Sequence, residues 1–214
     1  MRTILIFFIL YFQIFKLVSQ PSMPVAPIDS VFESIRVSDN DWLISLSIEQ
    51  AGTIYDSLGN MLSESPQGTF LLLKVGGDHF LQKIWFKNFD KPFETKVVFG
   101  KRLRLDKNIS FDYSADSILL ANKEWIYPFV YKSDTDSAYN VLEPSDHEPY
   151  YSMCFKTLKT DGSNLFFTET SLSKSKVFLS NENLNYRYNS STFVYRSFIK
   201  MLSLIKGNMK AFGM

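Results

Sequence analysis

Apolar and polar side chains alternate along much of the middle of the chain. Trp42, Ile44, Leu46 and Ile48 fall on one side, and Leu43, Ser45, Ser47 and Glu49 on the other, the period of two that fits a half-buried strand. Similar runs follow at residues 69–75, 80–86 and 93–99. Others lie at Leu103 and Leu105 between Arg102, Arg104 and Asp106, at Ile109, Phe111 and Tyr113, at residues 117–121, and at Trp125, Tyr127, Phe129 and Tyr131. The run at 69–75 is apolar on both faces and reads as a central strand, whereas Pro128 confines the last run to an edge. Gly76-Gly77-Asp78, Gly100-Lys101, Ser114-Ala115-Asp116 and further turn residues stand between them. Seven or eight short strands separated in this way predict a mainly β fold, an antiparallel sandwich or a curled sheet.

The two ends of the chain follow other rules. Arg2 precedes an almost unbroken apolar run over residues 4–15, and Ser19 and Gln20 then give a polar exit. A basic start, an apolar centre and a small-residue exit describe a cleavable secretory signal peptide over residues 1–20. A membrane anchor needs about 20 apolar residues, more than this run supplies. Prolines at positions 21, 24 and 27 predict an extended linker over residues 21–41. Beyond the strand-rich stretch 42–131 the chain turns polar, with Ser133-Asp134-Thr135-Asp136-Ser137 and a Glu143 to Pro149 segment of loop chemistry, so a boundary is expected over 132–149. The remaining extension, 150–214, has strand signals at 150–156, 165–168 and 177–179, with Asp161-Gly162-Ser163 as a hairpin turn. Phe193, Val194, Phe198, Ile199, Met201, Leu202 and Ile205 are spaced for a C-terminal helix that stops at Gly207. Its Lys200, Lys206 and Lys210 make it basic and amphipathic. Its apolar face is expected on the sheet, with contact to a membrane surface as the alternative.

Composition narrows the chemistry. Among 214 residues the net charge is +1, so no global field attracts nucleic acid, and no nucleic-acid partner is expected. An exported chain has access to oxidising conditions, yet Cys154 is its one cysteine and no internal disulfide can form. Packing of 20 Phe and 11 Tyr must supply stability instead. Cys154 reads as a small buried hydrophobe, with an intermolecular bridge as the alternative. His79 and His147 are the only candidates for general-base work, and no serine is singled out by spacing as a nucleophile beside either. No zinc set of the usual spacing can be written, and Asp134, Asp136, Asp146 and Glu148 lack the alternate-oxygen loop of a calcium site. Neither a metal nor a cofactor is therefore expected. Lys101-Arg102-Leu103-Arg104 reads as a strand with a wet face. Asn108-Ile109-Ser110 and Asn189-Ser190-Ser191 are acceptor sequences for N-glycosylation, the second in the more loop-like setting.

Several short stretches, taken in order, resemble one known module. They are Leu46-Ser47-Ile48-Glu49, the run Phe70-Leu71-Leu72-Leu73-Lys74-Val75-Gly76-Gly77-Asp78 leading to Lys83-Ile84-Trp85, then Phe93-Glu94-Thr95-Lys96-Val97-Val98. A basic strand at 101–105 and a closing Asn122-Lys123-Glu124-Trp125 complete the series. In this order the parts resemble the FAINT domain, a repeat module abundant in secreted proteins of Theileria and related piroplasm parasites. Phe93 stands where that family usually has tyrosine, and Ser114-Ala115-Asp116 where it has a glycine-containing turn. The resemblance implies a host-facing or secretory-pathway protein without enzymatic activity, and it supplies no site residues to carry over.

The expected function is that of a secreted, non-enzymatic interaction protein acting through a sheet surface, with a protein partner and with Trp85 and Trp125 as contacts. The alternative is a lectin-like sandwich that binds glycan, for which an exposed Trp85 should lie beside Asn or Asp side chains.

Overall fold

The computed structural model describes residues 26–35, 38–50, 68–88, 95–106, 113–135, 138–145, 148–160, 164–176, 179 and 181–213. The expected signal peptide, Asn108, His147, the strand residues Ile109 and Phe111, the turn at 161–163, and Val177 and Phe178 lie outside them. Eight strands are found among the described residues: β1 (Trp42–Gln50), β2 (Gly68–Val75), β3 (Asp78–Asn88), β4 (Thr95–Arg104), β5 (Phe129–Lys132), β6 (Tyr139–Leu142), β7 (Pro149–Lys156) and β8 (Asn164–Thr168). Six of them form one antiparallel sheet in the order β4-β3-β2-β1-β7-β8, while β5 and β6 pair separately. The fold is mainly β, as expected, and its main sheet is open.

Alternation along β1 decides what covers each face. Trp42, Ile44, Leu46 and Ile48 join Phe70, Leu72, Met153 and Phe155 in one cluster. The helix α5 (Phe193–Gly207) closes it from above with Val194, Phe198, Met201 and Ile205. Phe198 sits 4.6 Å from Tyr151 and 5.3 Å from Phe167, both edge to face. The apolar face of this helix is thus engaged with the sheet, and among the described residues no helix is long and apolar enough to cross a membrane. Thr192 accepts a bond from the Tyr195 N–H and Glu124 one from the Val194 N–H, so both a hydroxyl cap and a carboxylate satisfy the helix start.

The other face is covered by a helix where the sequence predicted a linker. In α1 (Ala26–Ile35), Val31 and Phe32 are buried against Leu43, Leu71, Leu73 and Cys154. The prolines masked a helical pattern, since Ile28, Val31, Phe32 and Ile35 are spaced three and four apart and Pro27 lies in the first turn, where its missing N–H costs nothing. Cys154 is fully buried, in line with its reading as a small hydrophobe.

Three further expectations change. Residues 117–121 form not a strand but part of α2 (Ala115–Ala121), because Ser114 caps it by accepting from the Ser117 N–H and Asp116 favours its first turn. The run ending at Tyr131 is strand only from Phe129, after Pro128. The boundary expected over 132–149 does not divide the sheet: β7 pairs along the whole of β1, Leu43 opposite Lys156 and Gln50 opposite Pro149. The C-terminal extension therefore supplies an interior strand.

Two short helices, α3 (Glu169–Leu172) and α4 (Tyr186–Ser191), link β8 to α5. Glu148, expected in a solvated loop, is buried and accepts from both the backbone N–H and the hydroxyl of Thr170 in α3. Past α5, a final turn (Met209–Phe212) returns Phe212 to within 5.7 Å of Phe70.

Gly76 and Gly77, with φ of 58° and 91°, make the two-residue turn between β2 and β3, a mirror-image geometry that other residues enter only with strain. His79 follows, opposite Lys74 in the register and 5.6 Å from the Trp42 ring. Burial, then the charges of Lys74 and Lys200, pull its imidazole below the ordinary value of 6.5, partly opposed by Asp78. The unfolded chain then takes up this proton at higher pH than the folded one, so this contribution to stability is intact above 6.5 and is lost as pH falls through that value. The melting temperature is expected to drop between about pH 7.5 and about pH 5.5, and His79→Gln is expected to flatten that drop. An equally steep profile in the variant would contradict this.

Candidate functional site

The exposed end of the β3–β4 hairpin carries the most distinctive surface among the described residues. Opposite Lys83 in β3 stand two residues of β4, because Gln82 pairs with Arg102 whereas Ile84 pairs with Phe99. Gly100 and Lys101 are therefore the extra pair of a β-bulge, a device common at sheet edges that re-aims side chains. The sequence suggested a turn at Gly100-Lys101 between two strands. The structure replaces it with one continuous, bulged strand.

Glycine is required at the bulge by contact rather than by dihedral angle. A Cβ on Gly100 would lie 2.6 Å from Cζ3 of Trp85, 2.7 Å from its Cη2 and 2.8 Å from the Lys83 carbonyl oxygen. The indole thus rests directly on the backbone of β4. Gln82 fixes the same place by donating to the Gly100 carbonyl at 3.1 Å, and it accepts from Nε of Arg102 at 3.0 Å. Gly100→Ala is expected to push the indole off its seat and to cost about 2 kcal/mol of stability, since the carbonyl cannot yield. Urea unfolding together with tryptophan fluorescence checks this, and unchanged values for both would refute the contact.

Trp85 remains 42% exposed on this seat. Nζ of Lys83 lies 5.5 Å from its ring and 5.6 Å from that of Phe70, within cation–π range. Burial pushes the Lys83 amine below its usual range. Beside Trp85 runs a shallow cleft of about 220 Å³ lined by Ser47, Glu49, Gly68, Thr69 and Ile84. The Ser47 and Thr69 hydroxyls are 2.8 Å apart and bond each other. Phe99, 47% exposed, flanks the bulge in β4. Trp85 and Phe99 emerge on opposite sides of the sheet, because Ile84 and not Trp85 is the residue opposite Phe99.

Trp125, the other tryptophan expected at the surface, is 65% exposed in the segment joining α2 to β5. It does not line the cleft. Its neighbour Tyr127 packs against Tyr188 with ring centres 5.0 Å apart and the rings tilted by 59°.

The expectation for Asn189 needs correction. This asparagine is fully buried in α4. Its Oδ1 accepts from the Tyr127 N–H at 3.0 Å, and its Nδ2 donates to the carbonyls of Tyr127 and Ser171, both at 2.9 Å. A glycan on Nδ2 would replace one of these donors and has no room there. Ser191→Ala, which removes the acceptor sequence without touching Asn189, is expected to leave the electrophoretic mobility of the chain expressed through a secretory pathway unchanged. A faster band would show that the site carries sugar.

Lys83, Phe99, Gly100 and Arg102 were not singled out by sequence reasoning as site residues. One signal was present: a lone glycine inside a strand pattern marks a bulge or a close backbone approach, and Phe99-Gly100-Lys101 is such a place.

No protein family, no curated protein and no solved structure matches the chain.

Proposed function

We propose that the chain is an exported, non-enzymatic interaction protein that meets a protein partner through Trp85 and the adjoining edge of the sheet. The observation that carries this is an indole held half-exposed over the Gly100 backbone. Tryptophan is the residue most enriched among contacts that dominate binding energy, and a rigid seat lowers the entropy lost on docking. The leader over residues 1–20 supports export. The resemblance to FAINT-domain proteins supports a host-facing role and an absence of enzymatic chemistry. For a glycan site, Asn or Asp side chains beside the exposed ring would be expected, whereas the polar cleft residues are Ser47, Glu49 and Thr69.

The test is secretion of a C-terminally tagged chain, N-terminal sequencing of the product, and capture of partners by wild type and Trp85→Ser side by side. The expected product lacks residues 1–20, and a partner held by wild type is lost to a variant that still folds by circular dichroism. Recovery of intact Met1 would overturn the export claim. Specific, competable retention on a glycan array would overturn the protein-partner claim in favour of a lectin.

A further inference from the structure

We infer that the segment docking at the β3–β4 edge is an acidic polypeptide, its carboxylates taken by Lys101 and Arg102 of the bulged edge strand. This rests on the proposed function and specifies the chemistry of the partner.

Among the described residues the sheet ends at β4. The exposed charged side chains described on this strand, Lys101, Arg102 and Arg104, are all basic. Arg104 is answered by Asp78 at 2.6 Å. Across the whole sequence the net charge is only +1, so the positive edge is a local concentration rather than a share of a general excess. Each side of the edge also presents a cation laid on an aromatic ring: Lys83 over Trp85 at 5.5 Å, and Arg102 over Phe80 at 5.7 Å. The Arg102 guanidinium is held through Nε by Gln82. Its two terminal amino groups retain the fork that a carboxylate takes in bidentate fashion. Lys101 belongs to the bulge, so it stands where β4 departs from regular pairing.

Charges and bulges on an edge strand also protect against indiscriminate strand pairing. Protection alone requires no half-exposed tryptophan seated on the glycine that precedes the basic run. An aromatic anchor next to an edge strand that carries lysine and arginine has the composition of a binding hot spot, and its sign selects a carboxylate-rich partner.

The experiment uses the full secreted chain and an immobilised random copolymer of glutamate and tyrosine as the acidic polypeptide probe. Phosphatidylserine vesicles and immobilised heparin serve as competing polyanions. Wild type is expected to bind the copolymer in a salt-sensitive way. The Lys101→Glu, Arg102→Glu double variant is expected to bind about tenfold more weakly, with Arg102→Lys in between. Melting temperatures are compared alongside, because Arg102→Glu also removes the bond to Gln82. Unchanged copolymer binding by the double variant, or stronger retention on heparin or vesicles, would overturn the inference. If the double variant still captures the cellular partner while Trp85→Ser does not, the acidic-partner inference fails and the proposed function stands. If Trp85→Ser also captures it normally, both fail.

Discussion

Trp42→Ala is expected to lower the unfolding free energy by about 4 kcal/mol, the largest effect of any single substitution considered for this chain. Trp42 opens β1 and is fully buried in the cluster beneath α5. Its ring lies 5.6 Å from both His79 and Tyr113, Tyr113 lies 4.8 Å from Phe193 of α5, and Phe193 lies 5.8 Å from Phe155 of β7. The indole therefore ties the β2–β3 hairpin to the C-terminal helix through consecutive ring contacts. Its removal leaves a void that a rigid sheet cannot close, so a cavity cost adds to the lost transfer energy. The midpoint of thermal unfolding should fall by roughly 10 °C. The same variant should show a weaker pH dependence, because part of the burial that depresses the His79 proton affinity goes with the ring. Denaturant unfolding by circular dichroism measures the first effect, and a loss below about 1 kcal/mol would contradict the packing described.

Asn189→Ala is expected to cost about 3 kcal/mol, although it removes little apolar surface. The N–H and C=O of Tyr127 would lose their side-chain partner, and the C=O of Ser171 would keep only the longer bond from Asn183 at 3.3 Å; each buried group left unpaired costs about 1 kcal/mol or more. Asn189 completes a series: Asn181 donates to the Lys132 carbonyl, Asn183 accepts from the Val130 N–H, and Asn185 donates to the Pro128 carbonyl. Asn181, Asn183 and Asn185, at every second position, thus bond alternate residues from Lys132 back to Pro128, and Asn189 bonds Tyr127 beyond them. Asn189→Asp discriminates mechanisms, since it preserves the acceptor for Tyr127 N–H but sets a carboxylate oxygen against two carbonyls. It should be at least as damaging as alanine. An Asn189→Asp protein as stable as wild type would show that these bonds are not formed.

The strands that alternate most cleanly were legible in the sequence. Residues 42–49 and 69–75 read as strands because each β position has one neighbour above and one below the sheet, and burial of both faces at Leu71, Leu72 and Leu73 leaves no alternation to find. Local signals misled where two rules competed. Prolines at 24 and 27 argued for a linker, while the helical spacing of Val31 and Ile35 was the stronger fact. Ser114 looked like a turn residue and is a helix cap. The polar residues around 133–149 concealed a strand, β6 over Tyr139–Leu142, and could not reveal that β7 returns to the centre of the sheet, because strand pairing over such a separation leaves no local trace. Within the site, the seat of Trp85 lies at a bulge made by Gly100 and Lys101. Nothing in the alternation of β3 foretells the rise of its ring over Gly100. The asparagine series at 181, 183 and 185 was visible as a period of two in polar residues, a pattern that is informative only once the strand it serves is known.

The central claim is that the β3–β4 edge receives a protein partner. Its most direct measurement replaces Phe99 with a photo-crosslinking benzoylphenylalanine in the secreted chain, with Tyr139 in β6, also well exposed, replaced in parallel as the control. The account predicts a covalent adduct with one polypeptide from position 99 that disappears when Trp85→Ser is added, and none from position 139. Adducts from position 139 alone, or adducts at 99 indifferent to Trp85, would contradict it.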